Sequence, residues 1–107
     1  MSENATWHLV CDADELDMED VIGFDHNQKK YAVYRTPSGY YATDGKCSHA
    51  GAILADGLVF GEYIECPQHQ ARFYIPTGEA KSAPAHVNLK TWPVKIEDGK
   101  IFIALPD

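Results

Sequence analysis

Two short segments of the chain each carry one cysteine and one histidine, side chains that bind transition metals. Cys47 and His49 flank a single residue, Cys66 and His69 flank two, and 16 residues separate the two segments. Each pair fits within one turn of the backbone, so two such turns that face each other would present two thiolates and two imidazoles. The pattern predicts one metal site built from all four side chains.

Two kinds of metal site use this set of ligands. One is a single tetrahedral Zn²⁺ with two cysteines and two histidines, and the other is a [2Fe–2S] cluster with cysteines on one iron and histidines on the other. Structural zinc sites usually take two cysteines from one turn and two histidines from another. Here each turn mixes the two types, which favours the cluster and leaves a structural zinc-binding module as an alternative.

The rest of the chain offers no second set of reactive groups. His8, His26 and His86 are far apart in sequence, and none has a metal-ligating neighbour at helical spacing. The sequence has no nicotinamide or flavin fingerprint, no phosphate-binding glycine loop and no nucleophile elbow. We therefore expect no catalytic residues and interpret the protein as an electron carrier, not an enzyme.

The elements that would position the ligands are β-strands. Apolar alternation and turn signals predict several short strands and no long helix. The predicted strands cover residues 6–10, 21–24, 31–35, 40–43, 58–60, 63–65, 91–97 and 100–104. Between residues 44 and 84 the chain is rich in Gly, Pro, His and Cys, so this stretch is interpreted as a loop-rich insert.

The two β-rich ends supply the predicted core and one clear hairpin. Asp98-Gly99 favours a two-residue type I′ turn, because both central residues of that turn need a positive φ. The core candidates alternate along the strands: Tyr31, Val33, Trp92, Val94, Ile96, Ile101 and Ile103.

The segments Cys47-Ser48-His49-Ala50-Gly51 and Cys66-Pro67-Gln68-His69 resemble the two ligand boxes of Rieske proteins. Nearly the whole chain is similar to the small Rieske-type ferredoxins of bacterial oxygenase systems. The resemblance implies one [2Fe–2S] cluster on the four ligands and an all-β Rieske fold, an antiparallel β-sandwich-like base with an inserted cluster-binding subdomain. It also implies one domain over residues 1–107, with the subdomain at about 44–84.

The resemblance also implies which side chains surround the cluster. Rieske boxes usually continue with glycine after the second histidine, where this chain has Gln70, and Pro84 would lie in a third loop that shields the cluster. The implied neighbours of the cluster are Gly51, Leu54, Pro67, Gln68, Gln70, Ala71, Phe73 and Pro84.

High-potential Rieske proteins of respiratory complexes have a disulfide between the boxes and hydroxyls near the cluster sulfurs. This chain has Ala52 and Gln68 at the disulfide positions, and Ala71 and Phe73 at the hydroxyl positions. We therefore predict a low-potential cluster, near the lower end of the range of about −150 to +300 mV.

The implied partners are a ferredoxin reductase upstream and a terminal oxygenase, ring-hydroxylating or related, downstream. A Rieske-like accessory subunit of a larger reductase complex is the other alternative. The formal net charge of −7 argues against nucleic acid as a partner. We expect no membrane association and a cytoplasmic protein, since there is neither an apolar run of about 20 residues nor a secretory signal.

Overall fold

The computed structural model describes residues 5–47, 51–68, 71–81 and 87–106, which form eleven β-strands and two short 3₁₀-helices. The strands are β1 (Ala5–Asp12), β2 (Asp20–His26), β3 (Lys29–Thr36), β4 (Gly39–Asp44), β5 (Leu58–Phe60), β6 (Tyr63–Glu65), β7 (Arg72–Tyr74), β8 (Glu79–Ala80), β9 (Thr91–Trp92), β10 (Val94–Glu97) and β11 (Lys100–Pro106). The 3₁₀-helices span Ala13–Glu15 and Leu54–Asp56.

The strands form three antiparallel sheets, as the all-β prediction requires. The first sheet has the order β1-β11-β10, the middle sheet β2-β3-β4-β9, and the third sheet β5-β6-β7-β8. The third sheet lies wholly between residues 58 and 80, within the stretch that was interpreted as a loop-rich insert. That insert therefore contains a sheet of its own, made of strands of two or three residues.

The predicted strand over residues 91–97 is two strands in two different sheets. β9 pairs with β4 in the middle sheet, whereas β10 pairs with β11 in the first sheet. Pro93 separates them, because proline has no N–H to donate to a ladder. The Pro93 carbonyl instead accepts the Ala104 N–H at 3.0 Å.

The predicted hairpin at Asp98-Gly99 is present, with φ values of 53° and 72°. Asn27 and Gln28 form a similar turn between β2 and β3, with φ values of 51° and 66°. Both turns have positive φ at the two central residues, the geometry that matches the twist of an antiparallel pair.

The middle sheet is covered on both faces, which accounts for the continuous burial of residues 31–34 in β3. Tyr31 and Val33 belong to a core shared with Ile101 and Ile103 of the first sheet. The alternate residues of β3 face a second core, shared with the third sheet. The buried members of this second core are Ala32, Tyr34, Cys47, Leu54, Val59, Ile64, Cys66, Ala71, Phe73, Ile75 and Leu89.

Most of the predicted core residues are buried, and one is not. Trp92 and Val94 are partly buried against the first core. Ile96 was predicted to lie in the core but is 43% exposed. It lies close to the hairpin turn on β10, the edge strand of the first sheet, which pairs with β11 on one side only.

Candidate metal centre

Cys47 begins a six-residue loop, residues 47–52, which we call the first ligand loop. Its ends are joined by the Cys47 N–H, which donates to the Ala52 carbonyl at 2.7 Å. Outside these ends, Lys46 and Ile53 form an isolated antiparallel bridge. Within the loop, the Gly51 N–H donates to the Cys47 carbonyl at 2.9 Å. The two ends of the first ligand loop are therefore held together, beyond the end of β4.

Cys66 begins a second loop of the same length, residues 66–71, the second ligand loop. The Cys66 N–H donates to the Ala71 carbonyl at 2.7 Å. Its base is the last pair of the β6–β7 ladder, Glu65 with Arg72. The two loops are thus closed by the same hydrogen bond, from the cysteine N–H to the carbonyl five residues later.

The two loops bring the thiols of Cys47 and Cys66 together. Both side chains are buried, and they lie within hydrogen-bonding reach of each other. The pKa of the Cys66 thiol is raised to about 11, chiefly by burial; the Gln68 backbone N–H donates to the sulfur and lowers this pKa, and the adjacent Cys47 thiol raises it. Both thiols are free, as is Cys11 in the first sheet, which is only partly buried.

This donor pair fits an iron–sulfur cluster. Cysteine thiolates are the usual protein ligands of such clusters. The thiols of Cys47 and Cys66 are buried and lie close enough to each other to bind the same iron. A metal would displace the two thiol protons, so binding is expected to release protons.

Gly57 allows the second ligand loop to pack closely against the short helix Leu54–Asp56. A Cβ on Gly57 would overlap the Glu65 carbonyl oxygen and would lie 3.3 Å from Pro67 Cδ. Only glycine lets the backbone approach the residue before Cys66 this closely. A cavity of about 380 Å³ opens beside this contact, and its lining includes Asp56 and Cys66.

The structure places five of the predicted neighbours of the metal around the two cysteines and leaves one at the surface of a loop. Leu54, Ala71 and Phe73 are fully buried in the same core as Cys47 and Cys66. Pro67 and Gln68 are exposed but follow Cys66 directly, and Gly51 is exposed with a φ of 71°. His49, His69, Gln70 and Pro84 lie outside the described residues.

A hydrogen-bond chain behind the first ligand loop was not predicted. The Thr43 hydroxyl donates to the Asp44 carbonyl at 2.7 Å, so the buried Tyr34 hydroxyl donates to Thr43 Oγ1, also at 2.7 Å. The chain fixes the end of β4 that leads to Cys47. The only sequence signal for it was a tyrosine on the face of β3 opposite to the predicted core.

Comparison with known proteins identifies the family. The model of the Rieske [2Fe–2S] domain matches residues 6–93. The chain belongs to the Rieske [2Fe–2S] family. The cofactor of this Rieske protein is one Rieske-type [2Fe–2S] cluster, and its fold is the all-β fold that the sequence predicted.

Its relatives are ferredoxin components of dioxygenase systems. The ferredoxin component of the naphthalene 1,2-dioxygenase/salicylate 5-hydroxylase systems of a Ralstonia species is 38% identical over 105 residues, 98% of this chain and 99% of the relative. The ferredoxin component of the naphthalene 1,2-dioxygenase system of Pseudomonas aeruginosa is 44% identical over 91 residues, 85% and 88% of the two chains.

A solved structure has the same fold. A chain in the complex of reduced oxygenase and oxidized ferredoxin of carbazole 1,9a-dioxygenase superposes with a TM-score of 0.88 at 32% identity, covering 92% of each chain. These findings do not favour a zinc module or an accessory reductase subunit. Within the described residues, no helix is long and apolar enough to cross a membrane.

Proposed function

We propose that this Rieske protein is the ferredoxin of a multicomponent oxygenase system, carrying single electrons from a reductase to a terminal oxygenase. The ferredoxin relatives and the similarity to the carbazole complex support this role. When bound, the cluster supplies reversible one-electron chemistry. The observation that carries the proposal is the pair of buried thiols, held side by side by two loops that are closed in the same way.

We further propose that Cys47 and Cys66 hold one iron, and that His49 and His69 hold the other. Each histidine follows its cysteine within a closed loop, so the loop that fixes the sulfur also limits where the imidazole can lie. We also propose that residues 44–84, approximately, form the cluster-binding subdomain of a single domain over residues 1–107.

We also propose that the potential is low for a Rieske cluster. The side chains at the positions of the usual hydroxyls, Ala71 and Phe73, are buried and offer no hydrogen bond to a nearby sulfur. Fewer hydrogen bonds to the sulfurs leave the reduced state less stabilised. We expect a midpoint near the lower end of the range of about −150 to +300 mV. A midpoint well above zero would contradict this part of the proposal.

Metal analysis combined with reductive titration tests the carrier function. Protein isolated without oxygen should contain two irons and two acid-labile sulfides per chain, and dithionite titration should show the uptake of one electron per chain. Colourless protein that binds zinc and takes up no electron would contradict it.

A further inference from the structure

Four lysines belong to the chain segments that meet at the end of the middle sheet from which the chain enters the first ligand loop. They are four of the nine basic residues in a chain with a net charge of −7. All four are exposed, and we call them the lysine collar: Lys29, Lys30, Lys46 and Lys90.

Backbone hydrogen bonds hold the collar residues side by side. The Lys30 carbonyl accepts the Gly45 N–H at 2.8 Å, and the Lys90 carbonyl accepts the Asp44 N–H at 2.9 Å. Three chain segments are thereby aligned around Asp44 and Gly45. Lys46 comes next in the chain and directly precedes Cys47, so the collar adjoins the candidate metal centre.

Two of the collar lysines, Lys29 and Lys90, lie against the ring of Trp92. The Nζ atoms of Lys29 and Lys90 lie 5.5 and 4.6 Å from the centre of the Trp92 ring. The Trp92 indole N–H donates to Asp44 Oδ1 at 2.8 Å, and Lys29 Nζ lies 3.5 Å from the same oxygen.

One further carboxylate approaches the collar, since Lys30 pairs with Asp25 at 3.4 Å. Lys46 and Lys90 form no ion pair with any carboxylate in the described part of the chain. Two carboxylates, Asp25 and Asp44, thus form ion pairs with two of the four collar lysines.

The acidic surface lies at the opposite end of the middle sheet. Residues 12–20 contain six carboxylates, and Asp20 pairs with Arg35 in the β2–β3 ladder. Lys29 lies six residues from Arg35 along β3, which is about 20 Å. That distance exceeds two Debye lengths at physiological ionic strength, each about 8 Å. The four collar lysines are thus separated along the middle sheet from the acidic residues 12–20.

We propose that the lysine collar is a docking surface for a carboxylate-rich patch on a protein redox partner. That the partner is a redox protein rests on the proposed function. That its contacting surface carries negative charge follows from the positive charge of the four lysines. Net charge alone would predict a basic partner, but contact depends on the local charge within a Debye length. A nucleic acid does not fit, because its extended phosphate charge would also meet the acidic surface.

Paramagnetic line broadening tests the collar without a partner and without electron transfer. The probe is hexacyanochromate(III), a redox-inert trianion, added to ¹⁵N-labelled, oxidised holoprotein. We expect selective broadening of the Lys29 and Lys90 amide signals and of the Trp92 indole N–H, with the signals of residues 12–20 unaffected. Broadening that is absent from the collar, or spread evenly over the surface, would overturn the proposal.

Oxidation kinetics test whether an anion docked on the collar can receive the electron. Hexacyanoferrate(III) takes one electron from the dithionite-reduced protein and becomes hexacyanoferrate(II). If the collar guides the encounter, the second-order rate constant falls as salt is added. If the net charge of −7 governs the encounter, the rate constant rises with salt, and the proposal is wrong.

Two matched double variants test whether the rate of oxidation by hexacyanoferrate(III) depends on the collar lysines in particular. Lys46→Glu/Lys90→Glu reverses two collar charges and should slow oxidation at low salt by about fivefold. Lys95→Glu/Lys100→Glu makes the same change in net charge on the first sheet, and we expect less than about a twofold effect. Equal slowing by both variants would contradict a local site.

The milder Lys46→Gln/Lys90→Gln variant provides the same comparison if charge reversal disturbs folding. Failure of the proposed function would be seen separately, as protein without iron, sulfide or visible absorption. Failure of the collar alone would leave a complete cluster with the opposite salt dependence.

Discussion

The first ligand loop rests on one isolated bridge, Lys46 with Ile53, whereas the second continues the β6–β7 ladder through Glu65 and Arg72. The first loop also has an internal hydrogen bond from Gly51, whose φ is 71°. At the same position, four residues after the cysteine, the second loop has Gln70. Both loops nevertheless make the same closing bond from the cysteine N–H.

This difference indicates which features the metal centre requires and which can vary. Closure by the cysteine N–H fixes each sulfur, and it is common to both loops. The support below the loop and the residue at its fifth position differ. The two described glycines beside the centre have different roles, because Gly51 has a positive φ and Gly57 packs against the Glu65 carbonyl.

The largest expected effect comes from removing either sulfur. Cys47→Ala and Cys66→Ala should each abolish cluster binding, because the two thiols face each other and one thiol cannot replace both. Iron and sulfide analysis measures the loss. Cys11→Ala is the matched control and should keep the full iron content. Retention of the cluster in either ligand-loop variant would show that the loops do not contribute equally.

A smaller but still large effect is expected at Gly57, which supports the second ligand loop. A Cβ there would overlap the Glu65 carbonyl, a backbone atom that cannot move aside cheaply. Gly57→Ala should lower the free energy of unfolding by roughly 3 kcal/mol or more, as measured by urea denaturation. Gly61→Ala is a suitable control, because its φ is 58° but nothing lies within 4 Å of its Cβ position. Equal losses in the two variants would mean that the close approach is unimportant.

Gly51 should show a purely conformational effect in the first ligand loop. Nothing lies within 4 Å of its Cβ position, so only the positive φ opposes a side chain. Gly51→Ala should cost about 1 kcal/mol in the free energy of unfolding, and Gly51→Asn should cost less, since asparagine tolerates this backbone conformation. A loss as large as that of Gly57→Ala would contradict the comparison.

The smallest effect is expected at the ion pair that flanks the second ligand loop. Arg72 Nε lies 3.7 Å from Glu65 Oε2; the Arg72 side chain is 51% exposed and the Glu65 side chain 19%. Because the contact is long and one partner is half exposed, Glu65→Gln should change the free energy of unfolding by less than about 1 kcal/mol. A much larger loss in urea denaturation would show that the ion pair, not the ladder, supports this loop.

The sequence predicted the parts of the fold that depend on local pattern. Apolar runs bounded by turn signals located β3 and β11, and the paired requirement for positive φ located the turn at Asp98-Gly99. The strands β7 and β8 were missed, because three and two residues among turn formers show no alternation. Likewise, Tyr34 could not be assigned to a core until the third sheet was seen to cover its face of β3.

At the site, the sequence predicted that the segments beginning at Cys47 and Cys66 face each other, and the structure places the two thiols side by side. The lysine collar was not predictable, because its members lie up to 61 residues apart in sequence, from Lys29 to Lys90. Only the register of β3, β4 and β9 brings them together. The net charge is a sum over the chain and does not show where individual lysines lie.

Pulsed electron paramagnetic resonance of the dithionite-reduced protein tests the mixed-ligand assignment most directly. With ¹⁵N-histidine incorporated into otherwise unlabelled protein, the account predicts two strongly coupled ¹⁵N nuclei on the reduced cluster, from His49 and His69. Substitution of either histidine should remove one of these couplings or the cluster itself. A reduced-cluster signal with no histidine nitrogen coupling would contradict the account.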